Sequence, residues 1–366
     1  MDFNPHFEKI IRDLEAASQH RSLKPRSGVD FSSNDYLGFS EDKILRQRIL
    51  ARLENLPTGS TGSRLLRGEN EVYSQAEATL ARFSAREAAI IFPSGYQANL
   101  GLLSGLVGPN DVVFSDQFNH ASIIDGIRLS RAQKKVYPHC DLGQLEELLR
   151  TTSNNGLKLI VTESIFSMDG DRAPLSDLAD LAEKYEAGLV VDEAHATGLY
   201  GSGLVQELLL TDRVLATQHT GGKALGVGGA WIACSAALKD YLVNFSRPLI
   251  FSTAPIPALA VSLEESVLHL SSAGPEQIEA LWRHCSFLSA SLNLRQIRGP
   301  IFPYILGDNA SALRMSQKLI AAGLDVRAIR PPTVPEGTAR LRMTIHADQD
   351  PKDIQKLTQI LQESMS

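Results

Sequence analysis

The sequence predicts an α/β fold: a large domain on a mainly parallel, seven-stranded sheet, then a smaller α+β domain at the C-terminus. Seven short apolar runs carry the first part, at 88–92, 111–115, 133–137, 157–162, 188–192, 213–217 and 229–234. Most are separated by helical patterns or by Gly, Pro, Asn and Asp punctuation, as a sheet covered by helices on both faces requires. The second part follows from a change of pattern after Phe245-Ser246-Arg247-Pro248, where long helical stretches take over.

Taken in order, residues 7–23 read as an amphipathic helix, with Phe7, Ile10, Ile11 and Leu14 at helical spacing. Lys24-Pro25-Arg26-Ser27-Gly28 breaks it, and Val29-Asp30-Phe31 is a short extended piece. The regular alternation begins near residue 44, and Glu69–Phe83 and Leu175–Tyr185 are its clearest helices. Beyond residue 248, helices are expected over Pro255–Ser271 and Glu276–Leu294, separated by a break at Gly274-Pro275. Strands at 301–306 and 340–345 and helices at 309–322 and 351–364 complete the chain. The expected domains are an N-terminal helix and arm (1–43), a large domain (44–247) and a small C-terminal domain (248–366).

Composition excludes several function classes. With 366 residues, 43% hydrophobic, 21% charged and a formal charge of −6, the chain has an ordinary globular balance. It has no basic tract, and its aromatics are not interleaved with Lys or Arg, so a nucleic-acid partner is not expected. Cys140, Cys234 and Cys285 are too few and too scattered for a disulfide framework or a zinc knuckle. The N-terminus lacks a basic segment followed by an apolar one, and no run has the roughly 18 apolar residues of a membrane span. The expectation is a cytoplasmic protein with reduced thiols.

The polar residues that carry chemistry fall at the carboxyl ends of the predicted strands, where ligands lie in open α/β sheets. Val190-Val191-Asp192-Glu193-Ala194-His195 is an apolar strand ending in a carboxylate and an imidazole. Lys223 stands among small residues, Gly221-Gly222-Lys223-Ala224-Leu225-Gly226-Val227-Gly228-Gly229. A lysine in a glycine cradle and a strand-end Asp are what a pyridoxal phosphate enzyme needs. The amine forms a Schiff base, and the carboxylate pairs with the pyridinium nitrogen. Freed by substrate, the same amine is a general base for the α-proton.

These residues also admit other readings. Asp192-Glu193-Ala194-His195 is also a helicase-motor signature. That motor needs a GxxxxGK[ST] loop, and here Thr217 holds the first glycine position while Ala224 follows Lys223. Trp231 likewise spoils a GxGxxG reading. Asp169-Gly170-Asp171 hints at a calcium loop, but Arg172-Ala173-Pro174 follows, so no metal is expected. Pro93-Ser94-Gly95-Tyr96 opens a helix and reads either as an ordinary corner or as an anion site. His120, in Asn119-His120-Ala121-Ser122, is either a capping residue or a ring that stacks on or titrates against a ligand. Ser167 offers a hydroxyl in the turn Phe166-Ser167-Met168-Asp169-Gly170-Asp171.

These motifs together resemble the α-oxoamine synthases, fold-type I pyridoxal phosphate enzymes that join an amino acid to an acyl thioester with loss of carbon dioxide. The resemblance covers nearly the whole chain, including Phe31-Ser32-Ser33-Asn34-Asp35-Tyr36-Leu37-Gly38 and Gly59-Ser60-Thr61-Gly62-Ser63-Arg64-Leu65-Leu66. The segment from Ile329-Arg330-Pro331-Pro332-Thr333 to Arg342 resembles the branch that uses L-alanine and a pimeloyl thioester in biotin synthesis. The resemblance implies that Lys223 bears the cofactor, Asp192 meets its ring nitrogen, and His195 and Ser167 meet its phenolic oxygen. It further implies that His120 stacks on the ring and that Gly95, Tyr96 and Thr220 lie at its phosphate. Arg342 would hold the amino acid carboxylate, with Arg21 and Thr333 at substrate. Thr253 would reach the phosphate of a neighbouring subunit in a homodimer.

Overall fold

The structure, a computed structural model, describes residues 1–153, 155–293 and 299–364. It divides into two compact units, Leu37–Ser167 with Asp171–Ile278, and Met1–Tyr36 with Met168–Gly170 and Glu279–Ser366.

The larger unit is built on seven strands: β1 (Ala88–Phe92), β2 (Val112–Asp116), β3 (Gln133–Tyr137), β4 (Lys158–Glu163), β5 (Gly188–Asp192), β6 (Ala216–Thr220) and β7 (Ala230–Cys234). Their order across the sheet is β1-β7-β6-β5-β4-β2-β3. Pairs among β2 to β6 are parallel, whereas β7 runs antiparallel to both β1 and β6. Each expected run became a strand. The run expected at 213–217 forms three residues later, because Thr211–Arg213 turn as a 3₁₀ helix and Arg86 takes the carbonyls of Val214 and Leu215 at 3.0 Å each.

Period-two alternation divides the core between the two faces of the sheet. Val112, Phe114, Ile160, Leu189 and Val191 pack into one buried cluster. Their neighbours Val113, Leu159, Val161 and Val190 pack into the other. Burying such a side chain stabilises by roughly 1.5–3 kcal/mol, so both faces hold the sheet firmly. The edge strand β3 instead exposes Gln133 and Lys134 and leaves Lys135 half-buried, and lysines on an edge discourage pairing with a further strand.

In the other unit, Val29–Asp30 pairs in parallel with Leu324–Asp325. Strand Ala339–Thr344 lies between Ala328–Ile329 and Ile301–Gly307, antiparallel to both. The unit boundaries therefore differ from 43/44 and 247/248: residues 1–36 group with the C-terminal residues, and the second division falls after Ile278. The first helix spans Asn4–Ala16 instead of 7–23, and Ser18 ends it with a positive φ of 54°. The expected break at Gly274-Pro275 does not occur, since one helix runs Pro257–Ser291 with Pro275 inside it. A mid-helix proline costs about 3 kcal/mol. The buried face carrying Leu263, Val267, Leu270, Leu281 and Leu288 outweighs that. Leu294, the expected last residue of that segment, lies outside the described residues.

Candidate active site

The parallel strands end along one edge, and register brings their polar termini level: Glu163 pairs with Asp192, and Asp192 with Gln218. Asp192 is buried. Its carboxylate accepts hydrogen bonds from Asn99 Nδ2 at 2.7 Å and from the Ala194 amide at 2.9 Å. Asn99 sits on the helix Gly95–Leu106, and its amide also donates to Ser122 Oγ at 2.9 Å. That hydroxyl lies 2.7 Å from His120 Nδ1. The Ser122 amide donates to the same nitrogen at 3.2 Å, so the proton of a neutral ring sits on Nε2. A continuous chain thus runs from Asp192 through Asn99 and Ser122 to His120.

Electrostatics place Lys223 with this group. Partial burial holds His120 below the ordinary imidazole range; Asp192 opposes that shift and the Lys223 ammonium adds to it. Glu163, fully buried at the end of β4, is pushed up to about 8, by burial first and the Asp192 charge second, against the pull of Lys223. Its Oε1 has no hydrogen-bond partner among the described residues. Lys223, His120, Asp192 and Glu163 are therefore within one another's fields.

Lys223 projects from the loop after β6. The loop is closed by Gly221 N to Gly229 O, Val227 N to Gly221 O and Gly226 N to Lys223 O, each at 2.9 Å. Its glycines have a different purpose from the one their density suggests. At Gly226 (φ +66°) a Cβ would meet Ser40 N at 2.4 Å, at Gly229 (φ +101°) Leu259 at 2.7 Å, and at Gly221 Leu263 at 2.6 Å. They let the loop pack against its own unit, and Gly228 has nothing within 4 Å.

Gly95 lies beside β6: a Cβ there would come within 3.0 Å of Gln218 Nε2 and 3.7 Å of Thr220 Cβ. The first amides of its helix have no partner within the helix, and Ser94 caps the Gln97 amide at 3.3 Å. Thr220 Oγ1 donates to Gly229 O at 3.1 Å and accepts from Gly222 N at 3.2 Å. Tyr96 is partly exposed, edge-on to His120 with centroids 6.4 Å apart. His195 is buried in the turn after Asp192, Ser167 is half-buried in the turn after β4, and Thr253 is exposed. A buried carboxylate, an amine, an imidazole and amides at a helix start, joined by a glycine and a threonine, fit a flat, cationic heteroaromatic ring carrying an anion.

Glu193, the second letter of the helicase-like string, serves the fold. Its carboxylate accepts from the amides of Val205 at 2.7 Å and Leu204 at 3.1 Å. Burial raises it to about 7. In the other unit Arg21 donates to Thr333 Oγ1 at 3.1 Å, so two expected substrate contacts meet across 312 positions. Arg342 is buried and donates to Asn34 Oδ1 at 2.9 Å. Sequence reasoning gave no role to Asn99, Ser122 or Glu163. The one available signal was a polar residue in the first turns after, or at the end of, an apolar strand.

A family model described as aminotransferase class I and II matches residues 26–361. An 8-amino-7-oxononanoate synthase from Trichlorobacter lovleyi is 41% identical over 357 residues, covering 95% of this chain and 91% of that protein. Among solved structures, a serine palmitoyltransferase with pyridoxal phosphate as its internal aldimine superposes with a TM-score of 0.92 at 27% identity, over 100% of this chain and 98% of that one. An 8-amino-7-oxononanoate synthase from Francisella tularensis gives 0.78 at 29% identity, over 93% and 98%. The chain therefore belongs to the aminotransferase class I and II family, in its α-oxoamine synthase branch, with pyridoxal phosphate as cofactor.

Proposed function

We propose that this chain joins L-alanine to a pimeloyl thioester, on coenzyme A or a carrier protein, giving 8-amino-7-oxononanoate, carbon dioxide and the free thiol in biotin synthesis. One bond forms, between the alanine α-carbon and the thioester carbonyl carbon; the C–S bond breaks, and the α-carboxylate leaves as carbon dioxide. The observation that carries this reading is the Asp192–Asn99–Ser122–His120 chain beside Lys223, in a protein whose 40%-identical relatives carry that synthase name.

Pyridoxal phosphate supplies, when bound, an aldehyde for the amine and an electron sink for charge at the α-carbon. Asp192, fixed by Asn99 and the Ala194 amide, holds a proton at the ring nitrogen because an adjacent anion favours the charged form. Lys223 takes the α-proton of alanine and returns it at the end of the cycle. His120 covers the ring face, and its lowered proton affinity keeps the imidazole neutral near neutral pH. His195 and Ser167 hold the phenolic oxygen, while the Gly95 and Tyr96 amides and Thr220 hold the phosphate. Arg342 binds the amino acid carboxylate as a two-pronged donor, and Arg21 and Thr333 contact substrate.

A homodimer is part of this proposal, with Thr253 reaching the partner's phosphate. Its support is an apolar surface around that residue. Leu65, Leu66, Phe251 and Ile256 are exposed, and the Ala254 amide ties the two segments together by donating to Gly62 O at 2.8 Å. A cytoplasmic setting fits three free thiols, and no described helix is long and apolar enough to cross a membrane.

The protein purified with pyridoxal phosphate should show an imine absorbance band that Lys223→Ala loses; identical spectra would sink the cofactor assignment. Sedimentation should give twice 39.9 kDa. In a matrix of amino acids against acyl thioesters, thiol release should be greatest with alanine and pimeloyl-CoA. Preference for glycine with acetyl-CoA, or serine with palmitoyl-CoA, would overturn the substrate reading.

A further inference from the structure

β2 and β3 end level, with Asp116 paired to Tyr137, and two residues later the chain turns out His139. Its Nδ1 is 2.9 Å from Asp116 Oδ1, and its Nε2 is 2.7 Å from Asp171 Oδ2. A carboxylate only accepts, so two such contacts require a proton on each ring nitrogen. Asp116 is itself fixed: its buried carboxylate takes the amides of Phe118 at 2.8 Å and Cys140 at 2.9 Å. Phe118 stacks on the imidazole at 4.6 Å, and Phe166 meets it edge-on at 4.4 Å. Phe118 stands two residues before His120, and Phe166 immediately precedes Ser167. On the far side, Asp171 closes the turn that holds Ser167, since the Phe166 amide donates to Asp171 O at 3.0 Å.

We propose that His139 is a positioning residue: an imidazolium that clasps Asp116 and Asp171 and so sets the two segments that present His120 and Ser167. The proposal rests on the reading of those two residues as cofactor contacts.

The titratable groups facing the ring are Asp116, Asp171 and the Cys140 thiol, 3.7–3.8 Å away, with Tyr137 beside Asp116. Arg172, next to Asp171 in the chain, lies over the Tyr200 ring. Burial alone would lower the proton affinity of His139; the two carboxylates outweigh it and raise the pKa to about 12. Asp116, His139 and Cys140 bring donor atoms within 4.8 Å, a grouping that could suggest a metal. A ring protonated at both nitrogens has no lone pair to offer one.

The test uses the full-length enzyme. In ¹⁵N-histidine spectra, the signal that His139→Asn removes should still show two protonated ring nitrogens at about pH 9, far above an ordinary imidazole. A neutral ring there would overturn the clasp. In absorbance titrations with pyridoxal phosphate, His139→Asn should bind about tenfold more weakly than wild type, the scale of one charge-assisted hydrogen bond. Asp171→Asn should shift affinity the same way. Unchanged cofactor affinity in both variants, whatever their melting temperatures, would reduce His139 to a structural role and reject the proposal. Failure of the wild-type protein itself to bind the cofactor would instead reject the functional reading. The nitrogen spectra do not depend on the cofactor.

Discussion

At the scale of single residues, the chemistry depends on side chains that hold the predicted ones in place. Without Asn99, whose one amide group serves both Asp192 and Ser122, Asp192 would keep the Ala194 amide on Oδ1 but lose the donor to its buried Oδ2. Asn99→Ala should weaken pyridoxal phosphate binding by roughly 1–3 kcal/mol, the cost of leaving a buried acceptor unpaired, while Lys223 still forms its imine band. Absorbance titration checks this, and unaltered affinity would separate Asn99 from the site. Asp192, Lys223, His195 and His120 were legible because they interrupt apolar runs or glycine clusters. Asn99 was not: its partners are 23 and 93 positions away, so only the fold shows what its amide meets.

At the scale of elements, the loop from Thr220 to Gly229 shows why a glycine count is ambiguous. Sequence alone suggests room for a ligand, whereas three of those glycines make room for Ser40, Leu259 and Leu263 of the same unit. Gly226→Ala combines a positive φ of 66° with a Cβ 2.4 Å from Ser40 N and should destabilise by about 2–4 kcal/mol. Gly228→Ala meets nothing within 4 Å and should change stability by less than about 0.5 kcal/mol. Thermal or urea unfolding of the two variants distinguishes them; equal losses would mean the loop is not packed as described. Strand positions were legible to within a few residues because a buried strand is a short apolar run. The continuity of Pro257–Ser291 was not, because the buried face that outweighs Pro275 is defined by neighbours distant in sequence.

For the molecule as a whole, burial of titratable groups sets how stability responds to pH. His219 stacks on Trp231 at 4.9 Å, lies between two threonine hydroxyls and is lowered by burial from 6.5 to about 3. The unfolded chain therefore takes up a proton below about pH 6.5 that the fold refuses, and stability falls by ~1.4 kcal/mol per pH unit as pH drops through that window. Glu193 has the opposite sense. Raised from 4.5 to about 7, it keeps its proton in the fold while the unfolded chain loses it, so stability falls as pH rises between those values. Relative to wild type, His219→Gln should gain stability on going from about pH 6.5 to 4.5, and Glu193→Gln should gain on going from about pH 4.5 to 7. Urea unfolding at three pH values measures both slopes, and parallel curves would show that neither group is perturbed.

By itself the sequence determined the α/β class, the seven strands, the carboxyl edge and the pairing of a strand-end carboxylate with a lysine. These depend on local periodicity and on residue types whose chemistry is rare. Only the tertiary structure decided that residues 1–36 group with the C-terminal residues and that Arg21 meets Thr333. It alone shows that Asn99 and Ser122 join Asp192 to His120, and that His139 lies between two carboxylates. Hydrogen bonds are satisfied by whatever the fold brings within about 3 Å, and across a parallel sheet those partners come from strands and helices that no local pattern pairs in advance.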